Sequence, residues 1–164
     1  MISLQFQLNG ESVSLKTPAD RRLLAILRED FDLTGAKPGC EVGRCGACMV
    51  WLDGAPANAC LLMAWQLEGR SVTTVEAIAA DARSEPVRAA LAECGGLQCG
   101  YCTPGLVVTM THLATRTPRP DAASACAQLA GNLCRCTGYG GIQRAVERLF
   151  PPPASAPAAA DPSD

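Results

Sequence analysis

Three tight groups of cysteine constrain this chain more than any other feature. Cys40, Cys45 and Cys48 are spaced C-x4-C-x2-C, with Cys60 further along. Cys99 and Cys102 form C-x2-C, and Cys134 and Cys136 form C-x-C. Cys94 and Cys126 stand apart, making ten cysteines in 164 residues against one histidine. The redox setting decides what such a count means. The opening stretch MISLQFQLNGESVSL alternates polar and apolar residues, and it lacks the basic start and apolar centre of a secretion signal. No run of about 18 apolar residues is present, so no membrane insertion is expected. The expected location is cytoplasmic. Thiols stay reduced there, so the cysteines imply metal or redox chemistry rather than disulfides.

The pattern around the cysteines predicts an α+β chain. Ile2, Leu4, Phe6 and Leu8 alternate, Asn9-Gly10 turns, and Val13 and Leu15 alternate back, which is a hairpin signature. Asp20 is a candidate cap for a helix carrying Leu23, Leu24, Leu27 and Phe31. A Gly- and Cys-rich loop spans 35–48. A strand over 47–52, a turn at Asp53-Gly54, a short helix within 58–66 and a strand over 71–75 follow. This order predicts a β-grasp sheet. Beyond Val75 the pattern is helical, with candidates at 75–80, 85–94, 104–116, 121–132 and 138–150. Three segments are expected: 1–76, 84–150, and a disordered tail over 151–164 built almost wholly of Pro, Ala, Ser and Asp.

The first cysteine group has the spacing of a plant-type ferredoxin loop holding a [2Fe-2S] cluster. Thiolates hold the irons, and the interleaved Gly39, Gly43 and Gly46 let backbone N–H groups approach the sulfurs. A structural zinc site more often shows two short paired spacings. The second group, Cys99, Cys102, Cys134 and Cys136, suggests a second cluster among helices, with Thr103 and Thr137 as candidate N-caps aiming helix N-termini at the sulfurs. Zinc remains a rival there. Cys94, Cys99 and Cys102 also read C-x4-C-x2-C, so spacing alone allows Cys94 as a ligand. The plainer reading makes Cys94 and Cys126 small buried thiols that pack as hydrophobes.

GCEVGRCGAC at 39–48, QCGYCTPG at 98–105 and GNLCRCTGY at 131–139 together resemble the iron–sulfur subunit of the xanthine oxidase family of molybdenum hydroxylases. The resemblance covers about residues 2–150. It implies an N-terminal ferredoxin-like β-grasp domain and a C-terminal four-helix-bundle domain, each with a [2Fe-2S] cluster. The implied metal ligands are Cys40, Cys45, Cys48 and Cys60 in the first and Cys99, Cys102, Cys134 and Cys136 in the second, with Cys94 left out. It also implies that Gln98 and Cys136 lie near the molybdopterin of a partner. Glu41-Val42 departs from the family pattern, which touches the potential of the first cluster more than its ligand spacing. Arg44 in the same loop reads as a solvated charge.

The implied role is a relay. Electrons would pass singly from a large molybdopterin-binding subunit through the two clusters to FAD on a medium subunit, or to another acceptor. Nothing in the chain points to bond-making catalysis. His112 is mid-helix and reads as structural or surface rather than catalytic. No phosphate loop or dinucleotide glycine pattern occurs, so other chains must bind the larger cofactors. The near balance of 14 basic and 16 acidic residues argues against a nucleic-acid partner held by bulk charge. The competing readings are a free-standing two-cluster ferredoxin-like carrier and a zinc-binding interaction protein.

Overall fold

A computed structural model describes residues 1–151. The expected tail therefore lies, after Pro151, outside the described residues. The N-terminal part is a mixed sheet backed by one helix. Strands β1 (Ile2–Leu8) and β2 (Glu11–Thr17) form an antiparallel hairpin with Leu4 opposite Leu15 and Phe6 opposite Val13. Asn9 and Gly10 both take positive φ, 54° and 89°, as a two-residue turn matched to the strand twist requires. Asp53 and Gly54 repeat this between β3 (Met49–Leu52) and β4 (Ala55–Asn58), with φ of 50° and 80°. Strand β5 (Ser71–Thr73) inserts between the hairpins, parallel to β1 and antiparallel to β3. The resulting order is β2-β1-β5-β3-β4.

Alternation puts Leu4, Phe6 and Leu8 on the buried face of β1, against Leu23, Ile26 and Leu27 of helix α1 (Leu23–Glu29). Asp20 does not cap α1. The residue before the helix is Arg22, which bridges to Met63, so pairing across the chain sets the start. Phe31 lies beyond the helix end yet still meets Phe6 edge to face at 6.2 Å. The helix expected within 58–66 is a single 3-10 turn at Ala64–Gln66, closed by the Met63 N–H donating to the Gln66 side-chain oxygen.

Five α-helices occupy the rest of the described residues: α2 (Val75–Ala80), α3 (Glu85–Glu93), α4 (Thr103–Thr115), α5 (Ala122–Gln128) and α6 (Gly140–Leu149). Helix α4 is central and buried from Gly105 to Thr111. Helix α6 buries Ile142, Ala145, Val146 and Leu149, one stripe at helical spacing. Asp121 caps α5 as expected, accepting from the Ser124 N–H at 2.8 Å.

The sheet and the helices share a wall. Trp51 points away from Val50 and Leu52 and joins the helical core, where its Nε1–H donates to the Val108 carbonyl at 3.0 Å. His112 stands edge-on to Trp51 at 6.3 Å. Burial holds its imidazole below the usual pKa. It is a packing residue, as its mid-helix place suggests.

Candidate metal centres

The loop before β3 folds around sulfur. The Cys40 Sγ accepts from the backbone N–H groups of Arg44 (3.1 Å) and Val42 (3.5 Å), and the Cys45 Sγ accepts from the Cys40 N–H at 3.3 Å. These Val42 and Arg44 donors draw the Cys40 thiol down to about 6. A Cβ on Gly39 would stand 2.8 Å from the Cys45 sulfur, so a side chain there would press on it. Cys48 and Cys60 are buried, and the Ala59 N–H donates to the Cys48 carbonyl at 3.1 Å. Burial pushes the Cys48 thiol up to about 12, with Cys60 beside it. The sulfurs thus group by twos: Cys40 with Cys45, Cys48 with Cys60.

The unusual Glu41 is tied down. Arg22 donates to its carbonyl at 3.2 Å and pairs with its carboxylate at 3.4 Å. Glu41 takes φ of 54°. Val42 beside it is exposed, as is Arg44, whose side chain stays in solvent while its N–H serves Cys40.

The helical part repeats the grouping. The sulfurs of Cys99 and Cys136 are 3.5 Å apart, and Cys102 lies beside Cys134. Burial raises the Cys102 thiol to about 12. Burial also pushes Cys134 up, but hydrogen bonds led by the Thr137 hydroxyl (3.2 Å) outweigh it and leave the thiol at about 7. The Tyr101 N–H lowers Cys99, and the neighbouring Cys99 sulfur raises Cys136.

The expected caps differ in detail. Thr103 is the first residue of α4 rather than its cap, and its buried hydroxyl has no partner. Thr137 precedes α6 by three residues. It accepts from the Tyr139 N–H at 3.2 Å, while the Tyr139 hydroxyl accepts from the Cys134 N–H at 3.0 Å.

Cys94 ends α3 and packs on the helical core, with its carbonyl taking the Arg144 guanidinium at 2.8 Å. Cys126 differs from its expected place: it is exposed, on the rim of an apolar pocket between α5 and α6. Helix α5 turns only Ala125 and the following Leu129 fully inward, so position 126 faces out.

A cavity of about 250 Å³ lies between the two sets, with Cys40 and Cys45 on one wall and Cys99, Cys102, Cys134 and Cys136 on the other. Among the described residues no three Cys, His, Asp or Glu side chains converge as one metal ion requires. Paired thiols suit a dinuclear cluster, where each iron takes two thiolates. Backbone donors to sulfur and buried thiols held neutral until a cation replaces the proton fit the same group. Gln98 and the pair Cys99 and Cys136 are exposed, next to exposed Tyr101 and Leu97. Sequence reasoning missed Trp51, Tyr139 and Asn132. The last two stand inside the GNLCRCTGY motif, whereas Trp51 carried no signal.

Two family models divide the chain between them: a "2Fe-2S iron-sulfur cluster binding domain" matches residues 6–72 and a "[2Fe-2S] binding domain" matches 74–147. A probable xanthine dehydrogenase subunit of Bacillus subtilis (strain 168) is 45% identical over 86% of this chain and 81% of its own length. The nicotinate dehydrogenase small FeS subunit of Eubacterium barkeri is 42% identical over 88% of this chain and 92% of its own. Among solved structures, quinoline 2-oxidoreductase from Pseudomonas putida 86 aligns with a TM-score of 0.79 at 36% identity, over 88% of this chain and 90% of that one. Two matched cluster domains in one order, at such identity over nearly the whole length, make the chain a member of the [2Fe-2S] small subunits of xanthine dehydrogenase-type molybdenum hydroxylases, whose work is electron transfer within an oxidoreductase complex.

Proposed function

We propose that this chain joins a large molybdopterin-binding subunit to a medium FAD-binding subunit and carries electrons singly from the first to the second. Cys99, Cys102, Cys134 and Cys136 hold the cluster nearer the molybdenum, and Cys40, Cys45, Cys48 and Cys60 the one nearer the flavin. The observation that supports this is the two-by-two grouping of the sulfurs, with Cys40 and Cys45 facing all four of the helical set across one cavity and Cys99 and Cys136 exposed. Bound [2Fe-2S] clusters supply one-electron chemistry, which couples a two-electron oxidation to a two-electron acceptor. The chain supplies position, N–H donors to sulfur and exclusion of water.

The same reading divides the chain into a β-grasp domain over 1–76 and a helical domain over 84–150. The helical domain is a four-helix bundle of α3–α6, supported by the packing of α3 on α4 and α6 and of α5 on α6. Helix α2 is then the connection. No helix among the described residues is long and apolar enough to cross a membrane. The cytoplasm, where thiols awaiting iron stay reduced, is the fitting compartment. Xanthine, nicotinate and quinoline name N-heteroaromatic rings, and that is the substrate class we assign to the partner's molybdenum site.

The purified native complex should hold about four irons and four acid-labile sulfides in this chain, two of each per site. Electron paramagnetic resonance of the reduced complex should show two distinct signals; a single signal would refute the two-cluster assignment. Gln98→Ala should keep both signals and alter the molybdenum spectrum or slow electron exit from that centre. Unchanged spectra and turnover would remove Gln98 from the interface.

A further inference from the structure

The two cysteine loops meet where the chain has no side chains. Gly46, directly after Cys45, takes φ of +70°. Its carbonyl oxygen lies 2.1 Å from where a Cβ on Gly105 of α4 would stand. A Cβ on Gly46 itself would stand 2.5 Å from the Gly131 carbonyl and 2.7 Å from Asn132 Nδ2. Distances this short leave no room for a side chain at either glycine. Asn132 fills the far side of the seam and is only 6% exposed. Beside it the Leu133 N–H donates to the Cys45 carbonyl at 3.0 Å. Leu133 adjoins Cys134, so one hydrogen bond and a few covalent bonds connect a thiol of the first set to a thiol of the second.

We propose that Gly46, Gly105 and Asn132 are positioning residues for electron transfer: they let the two cysteine loops meet backbone to backbone and so set the separation of the two centres. The inference rests on the reading that each cysteine set holds a cluster. Electron tunnelling weakens exponentially with distance, and more steeply across a gap than along bonds, so the width of this seam governs the rate. The seam is braced elsewhere. Trp51 is bonded to Val108, and the Tyr101 hydroxyl, between Cys99 and Cys102, donates to the Pro38 carbonyl. A methyl group at 105 would have to move the Gly46 carbonyl from 2.1 Å to the 3.4 Å where ordinary contact begins. That displacement falls on the Cys45–Leu133 connection while the thiols of each set keep their partners. Helix geometry at 105 accepts alanine, so the added volume is the whole perturbation.

The test uses the purified complex carrying Gly105→Ala, with Gly131→Ala as control, because a Cβ on Gly131 meets open space. Iron content and the two resonance signals report whether both clusters are present. Low-temperature splitting from their magnetic interaction, which falls with the cube of their separation, reports the spacing. Rapid-mixing spectroscopy reports electron equilibration between them. Gly105→Ala is expected to keep both signals, narrow the splitting and slow equilibration, while Gly131→Ala matches the unaltered complex. Should Gly105→Ala fail to assemble, Asn132→Ala decides: it empties the far side of the same seam, lets the loops settle closer, and is expected to raise the splitting where added volume lowers it. Either seam variant with both signals and unaltered splitting overturns the proposal. An unaltered complex without two signals overturns instead the reading beneath it.

Discussion

Cys134→Ala should abolish the resonance signal of the helical centre and, with it, electron delivery to the flavin, while leaving the other signal in place. Cys134 lies beside Cys102, and its N–H and sulfur are already committed to Tyr139 and Thr137. Alanine removes a thiolate ligand and offers no substitute in a buried position. Metal binding and local folding are coupled, so the 131–139 loop should loosen as well. The damage should stop at the seam, because Cys40, Cys45, Cys48 and Cys60 draw on the sheet and its loop. Iron content should fall by half, and turnover should fall to the background of a severed relay. Cys94→Ala is the matched control: its thiol packs on the core and does not line the cavity between the two sets. It should keep both signals. A helical signal lost in Cys94→Ala and kept in Cys134→Ala would reverse the assignment.

Phe150→Ala should be the most destabilising single change outside the cysteines, at about 3–5 kcal/mol. Phe150 is fully buried at the end of α6, and Arg119 lies over its ring at 5.1 Å while donating to the Leu149 carbonyl at 2.7 Å. The helical part has few large side chains, so the ring cannot be replaced by neighbours moving in. A domain of this size carries only about 5–15 kcal/mol in total, so this loss takes a large share of it. Denaturant unfolding of the purified protein should show the midpoint falling with little change in slope. A shift equivalent to less than about 1 kcal/mol would mean that the cavity collapses and that the ring is not a keystone.

Much of the fold was legible because the signals are local. Asn9-Gly10 and Asp53-Gly54 need only their own backbone preferences to make hairpins, and both do. The α6 stripe and the Asp121 cap are likewise written in neighbouring residues. The errors came where distant contacts overruled local preference. Asp20 lost the cap of α1 because Arg22 bridges to Met63. Thr103 is the first residue of α4 because Cys102 takes the cap position. Cys126 lies on the outer face of a helix too short for its small alanines to reveal which side faces the core.

The candidate site divides along the same line. Spacing alone proposes three of the first four cysteines as one loop, because C-x4-C-x2-C with glycines between is a property of contiguous chain. The grouping of all eight by twos depends on tertiary structure: Cys48 reaches Cys60 through strand pairing, and Cys99 reaches Cys136 across 37 residues of chain because α3 packs on both α4 and α6. The sequence by itself determined how many thiols there are, which run with which, and the order of strands and helices around them. Tertiary structure alone decided which sulfurs pair, that Trp51 crosses from the sheet into the helical core, and that Gly46 and Gly105 bring the two loops into contact. The physical reason is range. Backbone preference and side-chain periodicity act over a few residues, whereas the meeting of positions 46, 105 and 132 is fixed by volume excluded between segments far apart in the chain.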